Sequence, residues 1–156
     1  MVRELIKQGA NVITAEDEGF TPLHLVGLKG HIEVVFEFLN HGGSVSTANK
    51  GGSTPLHAAC LNGHFEVVRE VLNHGVNMNN ADKCGFTTVY AVIWNGHFEV
   101  LRDLLNRGAN MNTVNKDGFI LLYVAGQKGH VEVVLELLNH GANVNTADKN
   151  GLLLCT

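Results

Sequence analysis

The sequence predicts an all-α fold, an array of helix-turn-helix units joined by polar turns, and three observations carry that prediction. A Gly-His pair recurs at Gly30-His31, Gly63-His64, Gly96-His97 and Gly129-His130, each 33 residues after the last. Two further rows of glycine keep the same step: Gly19, Gly52, Gly85, Gly118 and Gly151, and Gly9, Gly42, Gly75, Gly108 and Gly141. Between these marks the apolar residues recur at helical spacing. The period divides one domain, 1–156, into a partial unit at 1–15, full units at 16–48, 49–81, 82–114 and 115–147, and a truncated unit at 148–156.

Within a unit, Thr21-Pro22 and Thr54-Pro55 mark a helix start. The Thr oxygen accepts an orphan N–H, and proline at the first helical position has no N–H to lose. This helix ends near Gly30 or Gly63. A second helix follows, as in the segment 32–39, where Val35, Phe38 and Leu39 share one face. The equivalent faces are Val68/Val71/Leu72, Leu101/Leu104/Leu105 and Val134/Leu137/Leu138. Gly42 and its copies stand just past that helix, where a left-handed residue closes the last turn. A polar turn then leads to the next unit.

Turn, helix, short turn and helix at this period, with Thr21-Pro22-Leu23-His24, Thr54-Pro55-Leu56-His57-Ala58-Ala59, the four Gly-His pairs and Gly141-Ala142-Asn143-Val144-Asn145, resembles the ankyrin repeat family over essentially the whole chain. The resemblance implies an ankyrin-repeat solenoid with hairpin-like loops between units. It also implies that the motif histidine ties neighbouring turns together. A hydroxylation known in related domains would fall on Asn79, Asn112 or Asn145, but a turn Asn bonding its own backbone is the simpler expectation.

Two units depart from the motif. The third reads Thr87-Thr88-Val89-Tyr90 and the fourth Ile120-Leu121-Leu122-Tyr123. The fourth has thus lost its cap hydroxyl, at a cost of about 1 kcal/mol. Tyr90 and Tyr123 are left to replace the histidine with their hydroxyls, and the C-terminal half is expected to be the looser one. At the ends, Val2, Leu5 and Ile6 align with the second helix of a unit, and Leu152-Leu153-Leu154 stand where a first helix begins. A segment of a longer array with apolar surface at both ends is the expectation. The chain is expected to be a monomer, with weak end-to-end self-association as the alternative.

The composition, 45% apolar and 17% charged, is globular, and a net charge of -4 offers no pull toward nucleic acid or anionic lipid. The longest apolar run, 120–125, falls far short of the roughly 18 residues a membrane span needs. Cys60, Cys84 and Cys155 are an odd number with no C-x-x-C spacing. The start carries Glu4 and lacks a secretory apolar region. A cytoplasmic or nuclear location follows as the expectation.

Nine histidines raise the question of a metal. His31, His64, His97 and His130 hold equivalent places in successive units, however, so they are spread along the array rather than converging. His41, His74 and His140 stand at helix C-termini, where a partly cationic ring suits the dipole. The His-x-Glu repeats at His31/Glu33, His64/Glu66, His97/Glu99 and His130/Glu132 lack the Pro-Cys-x-x-Cys partner of the zinc deaminases. No phosphate loop, nucleophile elbow or dinucleotide fingerprint is present. Cys60 reads as a small core residue and Cys84 as an exposed turn thiol. No enzyme activity, catalytic residue, cofactor or metal is therefore assigned.

In the family, partners contact the turn tips and the exposed side of the first helix, on the concave face of the stack. Carried over position by position, this face takes Asp17, Glu18, Phe20, Leu28 and Lys29 from the first full unit and Lys50, Ser53, Leu61 and Asn62 from the second. The third supplies Lys83, Cys84, Phe86, Trp94 and Asn95, and the fourth Lys116, Asp117, Phe119, Gln127 and Lys128. Aromatic residues where no core residue is required point to interface anchors, with Trp94 first among them. The bland alternative is that the phenylalanines tuck against neighbouring turns. Lys50, Lys83, Lys116 and Lys149 form a row that begins beside Glu16-Asp17-Glu18, a gradient able to orient a partner. The expected function is a non-catalytic module that binds a protein partner. The alternative is a structural spacer within a longer array.

Overall fold

The computed structural model describes residues 18–113 and 120–144, which form two compact units divided between Asn77 and Met78. The first holds α1 (Pro22–Lys29), α2 (Ile32–Asn40), α3 (Pro55–Leu61) and α4 (Phe65–Asn73). The second holds α5 (Thr88–Asn95), α6 (Phe98–Asn106), α7 (Leu121–Lys128) and α8 (Val131–Asn139). Among the described residues there is no strand. An isolated antiparallel bridge between Ala81 and Thr87 closes a hairpin-like turn before α5. Val2, Leu5, Ile6, Asp17, Lys116, Asp117, Phe119, Asn145, Lys149, Leu152–Leu154 and Cys155 lie outside the described residues.

Each unit is built the same way. A first helix and a second helix pack together, and the pairs then stack like on like: α1 against α3 and α2 against α4, then α5 against α7 and α6 against α8. The helices are seven to nine residues long, too short to persist alone, so their stability comes from this stacking. Leu23, Leu56, Val68 and Val71 are buried in the first unit, and Ile93, Leu101, Leu104, Leu121 and Leu137 in the second. Each such side chain contributes about 1.5–3 kcal/mol of transfer free energy. Val67, Val100 and Val133 are also fully buried, a second column that the sequence reading omitted, whereas Phe38, Leu39, Val134 and Leu138 are only half-buried.

The expected helix starts are present and their chemistry is visible. Thr21 and Thr54 sit at the N-caps in extended conformation, with proline following at the first helical position. His24 is fully buried, and its Nε2–H donates to the Ser53 carbonyl at 2.9 Å. A carbonyl only accepts, so Nε2 carries the proton and Nδ1 is left to accept. It does so from the Thr21 N–H at 3.1 Å and the Thr21 hydroxyl at 2.8 Å. The motif histidine thus binds its own helix start to the next turn, as the resemblance implied. Burial holds the His24 imidazole below its ordinary pKa, opposed in part by the bond to Ser53.

The Gly-His pairs have an equally local reason. Gly30 caps α1 in left-handed conformation (φ 75°), and a Cβ there would meet the His64 ring at 2.4 Å. His64 donates from Nε2 to the Leu28 carbonyl at 3.0 Å, and His130 does the same to the Trp94 carbonyl at 3.3 Å. Gly30 is the seat for the His64 ring, as Gly96 is for the His130 ring. The glutamate two residues after each such histidine lies in the first turn of a second helix, where its charge suits the helix dipole. His41, His74 and His140 close the other end of these helices by donating from Nδ1 to the carbonyls of Glu37, Glu70 and Glu136 at 2.8–3.0 Å.

Candidate protein-binding face

The first-helix and turn side of the first unit is mostly aliphatic. Leu61 is 46% exposed, Leu25 is 43% exposed and Leu28 is half-buried. Lys29 and Lys50 are exposed. Asn62 is exposed but is not spare: its Nδ2 donates to the Leu28 carbonyl at 2.9 Å, so it joins His64 in tying α3 to the end of α1. Phe20 is half-buried and turns its edge to the His24 ring, with centroids 5.6 Å apart. For Phe20 the tucked arrangement therefore holds. Glu18 gives its carbonyl to the Lys50 N–H at 2.9 Å, linking successive turns through backbone.

The second unit is different in kind. Phe86 stacks at a tilt on Tyr90 with centroids 4.6 Å apart, and Tyr90 stacks on Trp94 at 5.8 Å. The order is graded: Tyr90 is buried in the middle, while Phe86 and Trp94 are 36% and 42% exposed at either end. Lys128, from the neighbouring first helix α7, holds its Nζ 3.5 Å from the centre of the Trp94 ring. Asn95 and Gln127 are exposed beside it, with the Asn95 amide bonded back to the Ala91 carbonyl. Lys83 and Cys84 are exposed on the turn that precedes α5. Asp82 is occupied there, since its Oδ1 accepts from the N–H groups of Cys84 and Phe86 at 2.8 and 2.9 Å. The stacked Tyr90 was not among the predicted site residues. The spacing of Phe86, Tyr90 and Trp94, four residues apart, is the signal that could have found it.

Charge is sorted between the two kinds of helix. Every helical carboxylate among the described residues lies on a second helix: Glu33 and Glu37, Glu66 and Glu70, Glu99 and Asp103, Glu132 and Glu136. The first helices carry no acid, and their only charges are Lys29 and Lys128. The arginines on and just past the second helices are held locally: Arg69 and Arg102 lie over Phe65 and Phe98, and Arg107, at the C-cap of α6, pairs with Asp103 at 2.9 Å.

Nothing in this geometry gathers reacting groups. Among the described residues no three His, Cys, Asp or Glu side chains come together as a metal would need. Burial in α3 pushes the Cys60 thiol up, away from the reactive thiolate, and Cys84 is exposed. Among the described residues no helix is long and apolar enough to cross a membrane. The Oδ1 of Asn79 accepts from the Asn110 N–H at 2.8 Å, 31 residues on, a tie between successive turns.

Stacked helix pairs bridged by histidine and asparagine ties define a helical repeat protein. A family model of ankyrin repeats in three copies matches residues 1–82 and again 75–148, and the chain belongs to the ankyrin repeat family. Ankyrin repeats are generally protein–protein interaction modules and typically not enzymes. No curated protein matches the chain.

Proposed function

We propose that the chain is a non-catalytic module that binds a protein partner through the first-helix and turn side of its repeats. The observation that supports this best is Trp94. It is the sole tryptophan, lies 42% exposed on a first helix, and fills no core position. Large aromatic side chains left partly in water supply area at low entropic cost and are enriched at binding hot spots. Phe86, Asn95, Gln127, Lys128 and Lys83 are the further contact residues of the second unit. Phe20, Leu28, Lys29, Lys50, Leu61 and Asn62 are the contact residues of the first. Lys116 and Phe119 complete the set on sequence grounds. The module needs no cofactor, and its odd cysteine count supports a cytoplasmic or nuclear setting.

The test is a pull-down with the full chain and with a Trp94→Ala/Phe86→Ala variant, both shown to be folded by circular dichroism. The expected result is a specific partner retained by the parent and lost by the variant. Identical partner lists from the two proteins would overturn the assignment and favour a spacer role.

A further inference from the structure

We infer that the Phe86–Tyr90–Trp94 ladder and Lys128 select a partner segment that carries a carboxylate next to an aromatic or aliphatic side chain. This rests on the binding-face reading above and deepens it by naming the chemistry of the occupant.

Three observations lead there. First, Lys128 lies over the Trp94 indole at 3.5 Å, and no described carboxylate pairs with its ammonium. A π face attracts a cation but takes up none of its N–H donors, so the donors that face away from the ring remain available. Second, the protein has carboxylates to spare, at net -4, and all those on its described helices lie on the second helices. On the first-helix side of this unit the described acid is Asp82, already engaged by two backbone N–H groups. The segregation leaves a local cation in an acidic molecule, which attracts an acidic segment and repels a basic one, the reverse of what the acidic remainder of the surface does. Third, the apolar contact is in place beside the charge. Phe86 and Trp94 present ring surface on both sides of Tyr90, and Asn95 and Gln127 supply neutral polar groups at the edge. An apolar side chain laid on that ring surface brings a neighbouring carboxylate to the Lys128 ammonium. The indole also fixes the lysine stem, so little of its rotamer freedom remains to be lost on pairing.

The test uses the full chain and a displayed library of random ten-residue peptides without tryptophan, so that Trp94 fluorescence reports on the site alone. The expected outcome is enrichment of Asp and Glu by about threefold over the library, together with Phe, Tyr or Leu. A selected peptide, made synthetically, is expected to shift the Trp94 emission. Lys128→Gln should weaken it by about tenfold, the effect of one charged pair partly shielded from water. Lys128→Arg should retain most of the affinity. Replacing the peptide's acids with their amides should cost the parent about tenfold and cost Lys128→Gln almost nothing, which isolates the pair. Selected peptides that are neutral or basic, an affinity unchanged in Lys128→Gln, or no selected peptide at all would each overturn the inference. Peptides that need Trp94 but no acid sink only this inference. Peptides that bind the Trp94→Ala/Phe86→Ala variant as well as the parent sink the binding-face reading itself.

Discussion

At the start of α1 a buried imidazole performs three tasks at once, while at the equivalent place in α5 the tasks are divided. His24 accepts twice from Thr21 and donates to the Ser53 carbonyl, so a single ring closes the helix start and reaches the next turn. In α5, Thr87 caps in the ordinary way, its hydroxyl accepting from the Tyr90 N–H at 3.2 Å, and Thr88 reaches backward to the Met78 carbonyl at 2.7 Å. With the cap closed by Thr87, the Tyr90 ring stacks between Phe86 and Trp94. The aromatic before the cap makes the point most directly: Phe20 packs edge-on against an imidazole, whereas Phe86 stacks on a phenol whose ring continues into Trp94. Loss of the motif in the second unit is thus coupled to the gain of an exposed aromatic face. In α7 the departure goes further, since Ile120 occupies the N-cap with no side-chain bond.

The comparison can be broken most severely at His24. His24→Ala removes one of the two donors to the Ser53 carbonyl, leaving it the Asn49 N–H, and opens a cavity under Thr21, and should cost about 2–4 kcal/mol in urea denaturation. Tyr123→Ala, at the half-buried equivalent in α7, should cost less than half of that. Equal losses would erase the distinction between the units. Next in size is a pair of glycines with matched backbone. Gly30 and Gly129 have φ of 75° and 73°, but only at Gly30 would a Cβ strike a histidine ring; at Gly129 no described residue lies within 4 Å. Both alanine variants carry about 1–2 kcal/mol of left-handed strain. Gly30→Ala should lose at least about 1 kcal/mol more, read as the difference between the two melting shifts.

Two smaller effects sharpen the contrast. The folded-state pKa of His24 lies below its ordinary value of 6.5, so the unfolded chain takes up the proton first as pH falls. Stability from this group is complete above that value and declines below it, toward the folded-state pKa. The urea midpoint should fall between pH 7.5 and 5.5, and His24→Gln should flatten that part of the slope. Smallest is Ile120→Thr, which restores a cap oxygen to α7 and should stabilise by about 0.5–1 kcal/mol. Amide exchange across 121–139, expected to be faster than across 22–40, should slow in that variant. Uniform protection of both segments in the parent chain would show that the missing cap does not loosen the C-terminal half.

Much of the fold was legible before any coordinates because repeats write the same instruction several times. Thr-Pro at a helix start, Gly past its end and apolar residues at helical spacing are local signals, and each named the element found there. The candidate site was legible only as a set of positions. Trp94, Leu61 and Lys128 were assigned to the surface from their register alone, and they are exposed. That Asn62 is a structural tie and that Asn79 bonds a turn 31 residues on are facts about pairs of residues in different repeats, and that Phe20 is tucked against the His24 ring is a fact of side-chain packing. No one-dimensional spacing distinguishes an asparagine that faces water from one that faces a carbonyl 34 residues away.

The sequence alone determined the repeat, the helix boundaries and their caps, since these depend on φ, hydrogen-bond valence and periodicity within a few residues. Only the tertiary structure decided that Gly30 is the seat of His64 and that Lys128 lies on Trp94. Both contacts join neighbouring helix pairs, and their geometry depends on how one repeat is set upon the next.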